Sequence, residues 1–397
     1  MPSPSSQFFG EYHTLPHWEA SAPGRVNLIG EHVDYCGGYV LPMAIERRTT
    51  LQARVFSGRR ITIAGPEMPI CRIELDGATV PPGEPRWSNY LRGVMAGYQA
   101  RGAQLPAMEI FVTSTVPIGG GLSSSAALEV ATATLLEALT GIRLPGREKA
   151  LLCQRAENVY ARVPCGIMDQ FASVFGRAHH VLLIDCRAQT AEAIPLADHD
   201  VVVLVFDTRV KHDLAGGEYA LRRQETEEAA RRLSLASLRE LCNTPWHTAV
   251  ESLPEPLRRR ARHVVSEIER VEQFAQQLRA EAWPEVGRLM QASHVSLRDD
   301  FEVSCPELDF VAERASELPG VYGCRMTGGG FGGCCVALVE RSQIAEVERW
   351  LSQAYREQFG IEPATFVTQP GDGPRLRRLN GSEPSAEELT DRAHVPR

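Results

Sequence analysis

Three glycines and three serines in one stretch, Pro117 to Ala127 (PIGGGLSSSAA), carry the first chemical signal of this chain. Residues that small let backbone N–H groups converge on one point with no side chain in the way. The serines stand where a helix would begin, and a helix-like run, AALEVATATLLEALTG, continues to Gly141. Hydroxyls, unpaired N–H groups and the positive end of the helix dipole then face one space. That suits an anion, here the phosphate of a nucleotide. The ordinary alternative is a flexible loop with Ser123 as a simple helix cap. The flanks favour the anion site. Met108 to Pro117 alternates and is β-branched, so it reads as a strand; Leu128, Ala131, Leu135 and Leu139 fall at helical spacing. No GK[ST] follows the glycines, so this is not a Walker loop.

A second cluster lies in APGRVNLIGEHVDYCGGYVLPMAI, Ala22 to Ile45, where Arg25, Asn27, Glu31, His32, Asp34 and Tyr35 crowd between glycines. Packing does not require Glu31, His32 and Asp34 within four residues. On a loop they suit several hydroxyl groups, because carboxylates accept and imidazole can donate or accept. A metal site at His32 and Asp34 would need further ligands, and a solvated loop is the plain alternative. Downstream, Asp169 in VPCGIMDQFASVFG follows a Pro-Cys-Gly turn among Ile167, Met168 and Phe171. It reads either as a partner for a helix dipole or as a general base in an apolar pocket. Cys165 has no histidine near it in sequence to make it a nucleophile.

A third block, GCRMTGGGFGGCCVALVE (Gly323 to Glu340), satisfies GxGxxG at Gly328, Gly330 and Gly333. The dinucleotide reading is poor, because a strand rather than a helix follows. A glycine loop between two strands can instead approach a ligand closely from a second domain.

These clusters need elements to hold them. Strand-like runs cover Thr49 to Phe56, Met108 to Val116, Val181 to Asp185, Val201 to Phe206, Val321 to Met326 and Cys334 to Val339. Helical patterns cover Ser124 to Leu139, Arg147 to Arg162, Glu218 to Leu235, Leu257 to Ala280 and Ile344 to Phe359. The two types mix without regular alternation, which predicts an α+β fold. The length of 397 residues allows two domains, with a boundary expected at Pro195: residues 1–195, then 196–397 with a polar tail from about 380. Hydrophobic residues make up 43%, enough for a core. A net charge of −8 with no basic tract argues against nucleic acid. No run is long and apolar enough for a membrane span, and the first residues lack a secretion signal. With ten cysteines and no CxxC pair, free thiols in a reducing cytoplasm are expected. Only Lys149 and Lys211 are lysines among 42 basic residues, so cations for phosphate are mostly arginines.

In this order the three blocks resemble the GHMP kinase superfamily, and within it the galactokinases, from Ala22 to about Gly373. GRVNLIGEH followed by DY is the specific part, and DTRVKHDLAGGEYALRRQE (Asp207 to Glu225) is similar to the matching galactokinase segment. The resemblance implies a two-domain α+β GHMP kinase fold with its active site in the interdomain cleft. It implies that Arg25 faces the transferring phosphoryl group and the sugar C1 hydroxyl, and that Asp169 is the catalytic aspartate. Glu31, His32, Asp34, Gly166 and Tyr219 would hold sugar hydroxyls. Gly119, Gly120, Gly121, Leu122, Ser123, Ser124 and Ser125 would form the ATP phosphate loop, with Trp87 and Tyr90 near the adenine. Ser125 and Glu157 would be associated with Mg²⁺. The implied reaction is ATP plus α-D-galactose giving ADP plus galactose 1-phosphate, by a cytoplasmic monomer whose partners are small molecules. Val33 and Cys36 stand where bacterial galactokinases usually have Thr and Asn, and DYC is similar to the N-acetylgalactosamine kinase branch. A kinase for that sugar or for L-arabinose, and a non-catalytic ATP- and galactose-binding sensor, remain open alternatives.

Overall fold

A computed structural model describes residues 4–196, 200–211 and 215–379. The polar tail and residues 212–214 lie outside the described residues, as does the side chain of Lys211. The strands, in chain order, are β1 (Trp18–Asn27), β2 (Tyr39–Val40), β3 (Pro42–Val55), β4 (Arg60–Ala64), β5 (Cys71–Glu74), β6 (Met108–Ser114), β7 (His180–Asp185), β8 (Thr190–Pro195), β9 (Val201–Lys211), β10 (Val321–Thr327), β11 (Gly332–Glu340), β12 (Ala364–Thr368) and β13 (Arg375–Arg378). They form a six-stranded sheet in the order β13-β1-β3-β6-β4-β5, a four-stranded sheet β10-β11-β9-β12, and a three-stranded sheet β2-β7-β8. Pairing is antiparallel except between β4 and β6, so the α+β reading holds.

β1 is a strand where the sequence suggested only a loop. It pairs with β3 from Trp18↔Ala53 to Asn27↔Pro42, with the register shifting between Pro23 and Arg25. Pro23 has no N–H to give, and Gly24 lies tight under the phosphate loop: a Cβ there would meet Leu122 O at 2.6 Å. The irregularity re-aims Arg25. Its backbone N–H donates to Leu122 O at 3.1 Å, which joins the strand to the glycine loop.

The helix after that loop, Ser124–Thr140, packs on β1 and β3 and is buried along every residue from Ala126 to Leu136. Small and aliphatic residues all round suit a helix enclosed on every side. The next helix, Gly146–Ala156, ends in a π-helical turn, Glu157–Ala161, where one continuous helix to Arg162 was expected. Such turns are rare and cluster at functional sites. Here the turn brings Glu157 into the cleft. Asp169 sits in the first turn of a short helix, Met168–Phe175. Helices Asn89–Gln99, Trp283–Asp299 and Pro306–Ser316 were not foreseen.

The two halves of the chain are interlocked. β13 closes the edge of the six-stranded sheet against β1. One core cluster joins Val33, Val40 and Phe171 to Phe206, Phe301 and Tyr355, and another joins Val26 and Leu122 to Val205 and Val336. All ten cysteines are free.

Candidate active site

A cavity of about 660 Å³ opens between the elements just described. Arg25, Glu31, His32, Asp34, Gly119, Gly121, Leu122, Ser123, Ser124, Ser125, Trp87, Tyr90, Glu157, Gly166, Asp169 and Tyr219 all line it. Gly120 does not. A Cβ there would point at Cys334 Sγ and Asp207.

The glycine loop takes positive φ at Gly119 and Gly121, both 74°. The third block meets it from the other half of the chain. A Cβ on Gly328 would come within 3.0 Å of Gly121 O, and one on Gly333 within 3.4 Å of Gly120 O. A side chain at Gly328 would crowd the facing loop, and one at Gly333 would sit in contact with it. Gly328 and Gly329 also line the cavity, and β11 begins right after, so the dinucleotide reading is excluded by geometry as well as by pattern.

Arg25 and Asp169 are the centre of the site. Arg25 Nε and Nη2 both reach Asp169 Oδ1, at 2.8 and 2.6 Å, and Nη1 donates to Gly121 O at 2.5 Å. Arg25 is only 4% exposed. This planar fork fixes a carboxylate and the phosphate loop at once. Ser123, for which a simple helix cap was the ordinary alternative to a place in the phosphate loop, makes no side-chain cap; its hydroxyl donates to Asp169 Oδ2.

The Glu31, His32 and Asp34 cluster is held by buried partners. Glu31 Oε1 accepts from Thr327 Oγ1 and Gly328 N–H, and Oε2 lies 2.5 Å from Arg325 Nη1. Arg325 is wholly buried, and sequence reasoning passed over it; the only signal was an arginine inside an apolar strand. Burial pushes the Glu31 carboxyl up, against the pull of Arg325. His32, at φ 61°, is neutral: burial lowers it to about 3. Its Nε2–H donates to Gly329 O at 3.1 Å, which leaves Nδ1 to accept from Tyr35 O–H at 2.9 Å. Tyr219, on the helix Ala215–Arg232, packs 5.2 Å from the His32 ring.

Gly166 acts through absence. A Cβ there would fall 1.9 Å from Asp34 Oδ2, so only glycine leaves the carboxylate its place. Asp34 is pushed up to about 6, by burial first and by the charge of Asp169 second, although Tyr35 and Met168 N–H groups oppose this. The shift has a consequence for stability. The unfolded state loses this proton near pH 4 and the native state near pH 6, so the group erodes stability as pH rises through that window. Asp34→Asn is therefore expected to be more stable than the parent at pH 8, by on the order of 2 kcal/mol, with the advantage shrinking at pH 5. Chemical denaturation at both pH values checks this. A variant less stable at pH 8 would contradict it.

Val33 and Cys36, the two departures from the usual bacterial galactokinase motif, do not line the cavity. Val33 is wholly buried in the core, and Cys36 Sγ faces His32 O within its own turn. Lys149 is likewise committed elsewhere, paired with Glu137 at 2.7 Å.

Trp87 and Tyr90 share the apolar part of the lining with Pro66, Met68, Val112, Leu128 and Val163. Opposite the loop, Glu157 is pushed up to about 7 by burial and by Asp169, while a hydrogen bond from Ser125 favours its charged form. Gln170 Nε2 bridges Glu157 Oε2 at 2.6 Å and Glu129 Oε2 at 3.0 Å. Among the described residues, no group of three or more His, Cys, Asp or Glu is placed to hold a metal ion. One carboxylate and one hydroxyl fit Mg²⁺ only in the manner of a cation that completes its shell with phosphate oxygens and water.

A glycine loop at a helix N-terminus, an arginine–aspartate pair and a cluster of buried polar side chains share one cleft, as the resemblance to the GHMP kinases implies. The sequence models of that class match here: the GHMP kinases N terminal domain at residues 89–177 and the C terminal domain at 274–357. A galactokinase galactose-binding signature matches residues 6–55. The Homo sapiens galactokinase is 46% identical over 380 residues, covering 93% of this chain and 94% of that one. A galactokinase of Roseiflexus sp. is 44% identical over 92% of this chain and 95% of its own. The solved Lactococcus lactis galactokinase, in complex with galactose, superposes with a TM-score of 0.88 at 33% identity, covering 94% and 98% of the two chains. A mevalonate kinase at TM-score 0.64 and 18% identity shares the fold. This chain belongs to the galactokinase family.

Proposed function

We infer that the chain transfers the γ-phosphoryl group of ATP to the C1 hydroxyl of galactose. The observation that carries this reading is the Arg25–Asp169 pair fixed to the glycine loop on one side and opened to the Glu31, His32, Asp34 and Tyr219 cluster on the other. Phosphoryl transfer asks a protein mainly for positioning and for positive charge near the γ-phosphate. The loop's N–H groups cradle the triphosphate. Arg25 offers its fork toward the equatorial oxygens. Asp169 orients the anomeric hydroxyl and accepts its proton as the sugar oxygen bonds to phosphorus. Mg²⁺, held by Ser125 and Glu157 with the phosphates, would neutralise phosphate charge when bound. Trp87 and Tyr90, which line the apolar part of the cavity, would lie near the adenine.

The intact Arg25–Asp169 contact favours an enzyme over a binding-only sensor, since a sensor has no use for a cation tied to a base. Two domains, divided at Pro195 where β8 ends, would form the walls, with β13 returning to brace the first. Among the described residues no helix is long and apolar enough to cross a membrane. A monomer in the cytoplasm suits small-molecule substrates.

An ADP-release assay over galactose, glucose, N-acetylgalactosamine and L-arabinose tests the substrate. Galactose is expected to give the highest kcat/KM, with glucose lower by at least about 10², because misplacing the C4 hydroxyl leaves buried groups unpaired. A higher value for N-acetylgalactosamine would reassign the sugar and leave the kinase chemistry in place.

A further inference from the structure

Ser123 stands at φ 59°, ψ 46°, immediately before the helix Ser124–Thr140, and its side chain bonds no N–H of that helix. A non-glycine residue in this region is strained, and glycine would take the same backbone freely. The chain has glycine at 119, 120 and 121, yet keeps serine here. What the serine adds is a bond to Asp169 Oδ2 at 2.5 Å, made in a position only 8% exposed. The other carboxylate oxygen, Oδ1, is taken by two nitrogens of Arg25. Oδ2 is therefore the oxygen left to face a substrate hydroxyl, and Ser123 is what holds it. Two residues earlier in the same loop, Gly121 O holds Arg25 Nη1.

We propose that Ser123 is a positioning residue for phosphoryl transfer: its hydroxyl fixes Asp169 Oδ2 to the phosphate loop, so that the base and the nucleotide are set by one piece of backbone. The proposal rests on the kinase reading of this cavity. It departs from that reading in one respect, because the Ser123 side chain serves the aspartate and not the nucleotide. In the transfer, the sugar C1 hydroxyl gives its proton to Asp169 Oδ2 and its oxygen bonds to the γ-phosphorus. The bond from that phosphorus to the β,γ-bridging oxygen breaks, and ADP leaves with the electron pair. Ser123 keeps its own proton throughout.

Ser123→Gly and Ser123→Ala separate this role from a structural one. Glycine removes the hydroxyl and relieves the backbone, so its melting temperature is expected to equal or exceed that of the parent. Its kcat is expected to fall about tenfold, the order expected for losing a hydrogen bond to a charged group. ATP affinity, measured by calorimetry on the same protein, should stay within about twofold, since the loop's N–H groups are untouched. Alanine should lose kcat similarly while keeping the strained backbone. In an Asp169→Asn background, Ser123→Gly should change residual turnover by less than about twofold, because the base that it positions is gone. Weakened ATP binding with kcat intact would overturn the proposal, as would equal losses in both backgrounds or a lower melting temperature in Ser123→Gly. Absence of ADP release by the parent enzyme with every sugar of the panel would instead overturn the kinase reading.

Discussion

Asp169→Asn should lose a factor of about 10²–10⁴ in kcat with galactose while keeping the fold and ATP binding, the range typical for removing a general base. The site makes the reason concrete. Asparagine has the shape of aspartate, but only one of its two terminal atoms accepts. If the amide oxygen faces Arg25, the amide nitrogen points at Ser123 Oγ and at the substrate hydroxyl, and it can take a proton from neither. If it is turned the other way, its N–H groups meet the Arg25 fork and the guanidinium loses its partner in a nearly closed space. The nucleotide cradle is not affected in either orientation. Steady-state turnover together with ATP calorimetry on the same sample measures both halves of the expectation. Near-normal turnover would make Asp169 a structural partner of Arg25 and nothing more.

How much of this was legible in the sequence varies with the range of the interactions. The helix Ile344–Phe359 was read to the residue, and Ser124–Thr140 to within one, because each carries its own period. The glycine loop was legible as a turn between a strand and a helix, and that placement holds; its use as an anion site belongs to the proposed function. β1 was not legible: proline and glycine at 23 and 24 read as a loop, and only pairing with β3 and contact with Leu122 make them a kinked strand. The turn that brings Glu157 into the cleft is equally silent, because a π-helical turn leaves the apolar pattern intact. The bond from Ser123 to Asp169 was silent in the sequence, because its partner is 46 residues away. Arg325 was missed for the same reason, being meaningful only once Glu31 is buried beside it. Val33 and Cys36 mark the opposite error. They sit inside a recognisable motif, but the turn puts Val33 in the core and packs Cys36 against it, away from the cavity.

Arg25→Lys should also be severely impaired, although the charge is kept. The guanidinium does three things at once: two nitrogens grip Asp169 Oδ1, and the third holds Gly121 O of the phosphate loop. A lysine ammonium is a single point. From the same backbone position it can approach the aspartate or the loop carbonyl, but it cannot span both in a fixed plane. The electrostatic attraction for the triphosphate survives, so ATP affinity should fall only modestly. What is lost is preorganised stabilisation of the transferring group, for which removal of one donor typically costs about 10²–10³ in kcat. Comparing kcat with the dissociation constant for ATP separates the two effects. A lysine variant within a few-fold of the parent in kcat would mean that charge alone suffices. The main electrostatic work would then belong to the cation at Ser125 and Glu157, and Arg25 would serve chiefly to hold the loop against β1.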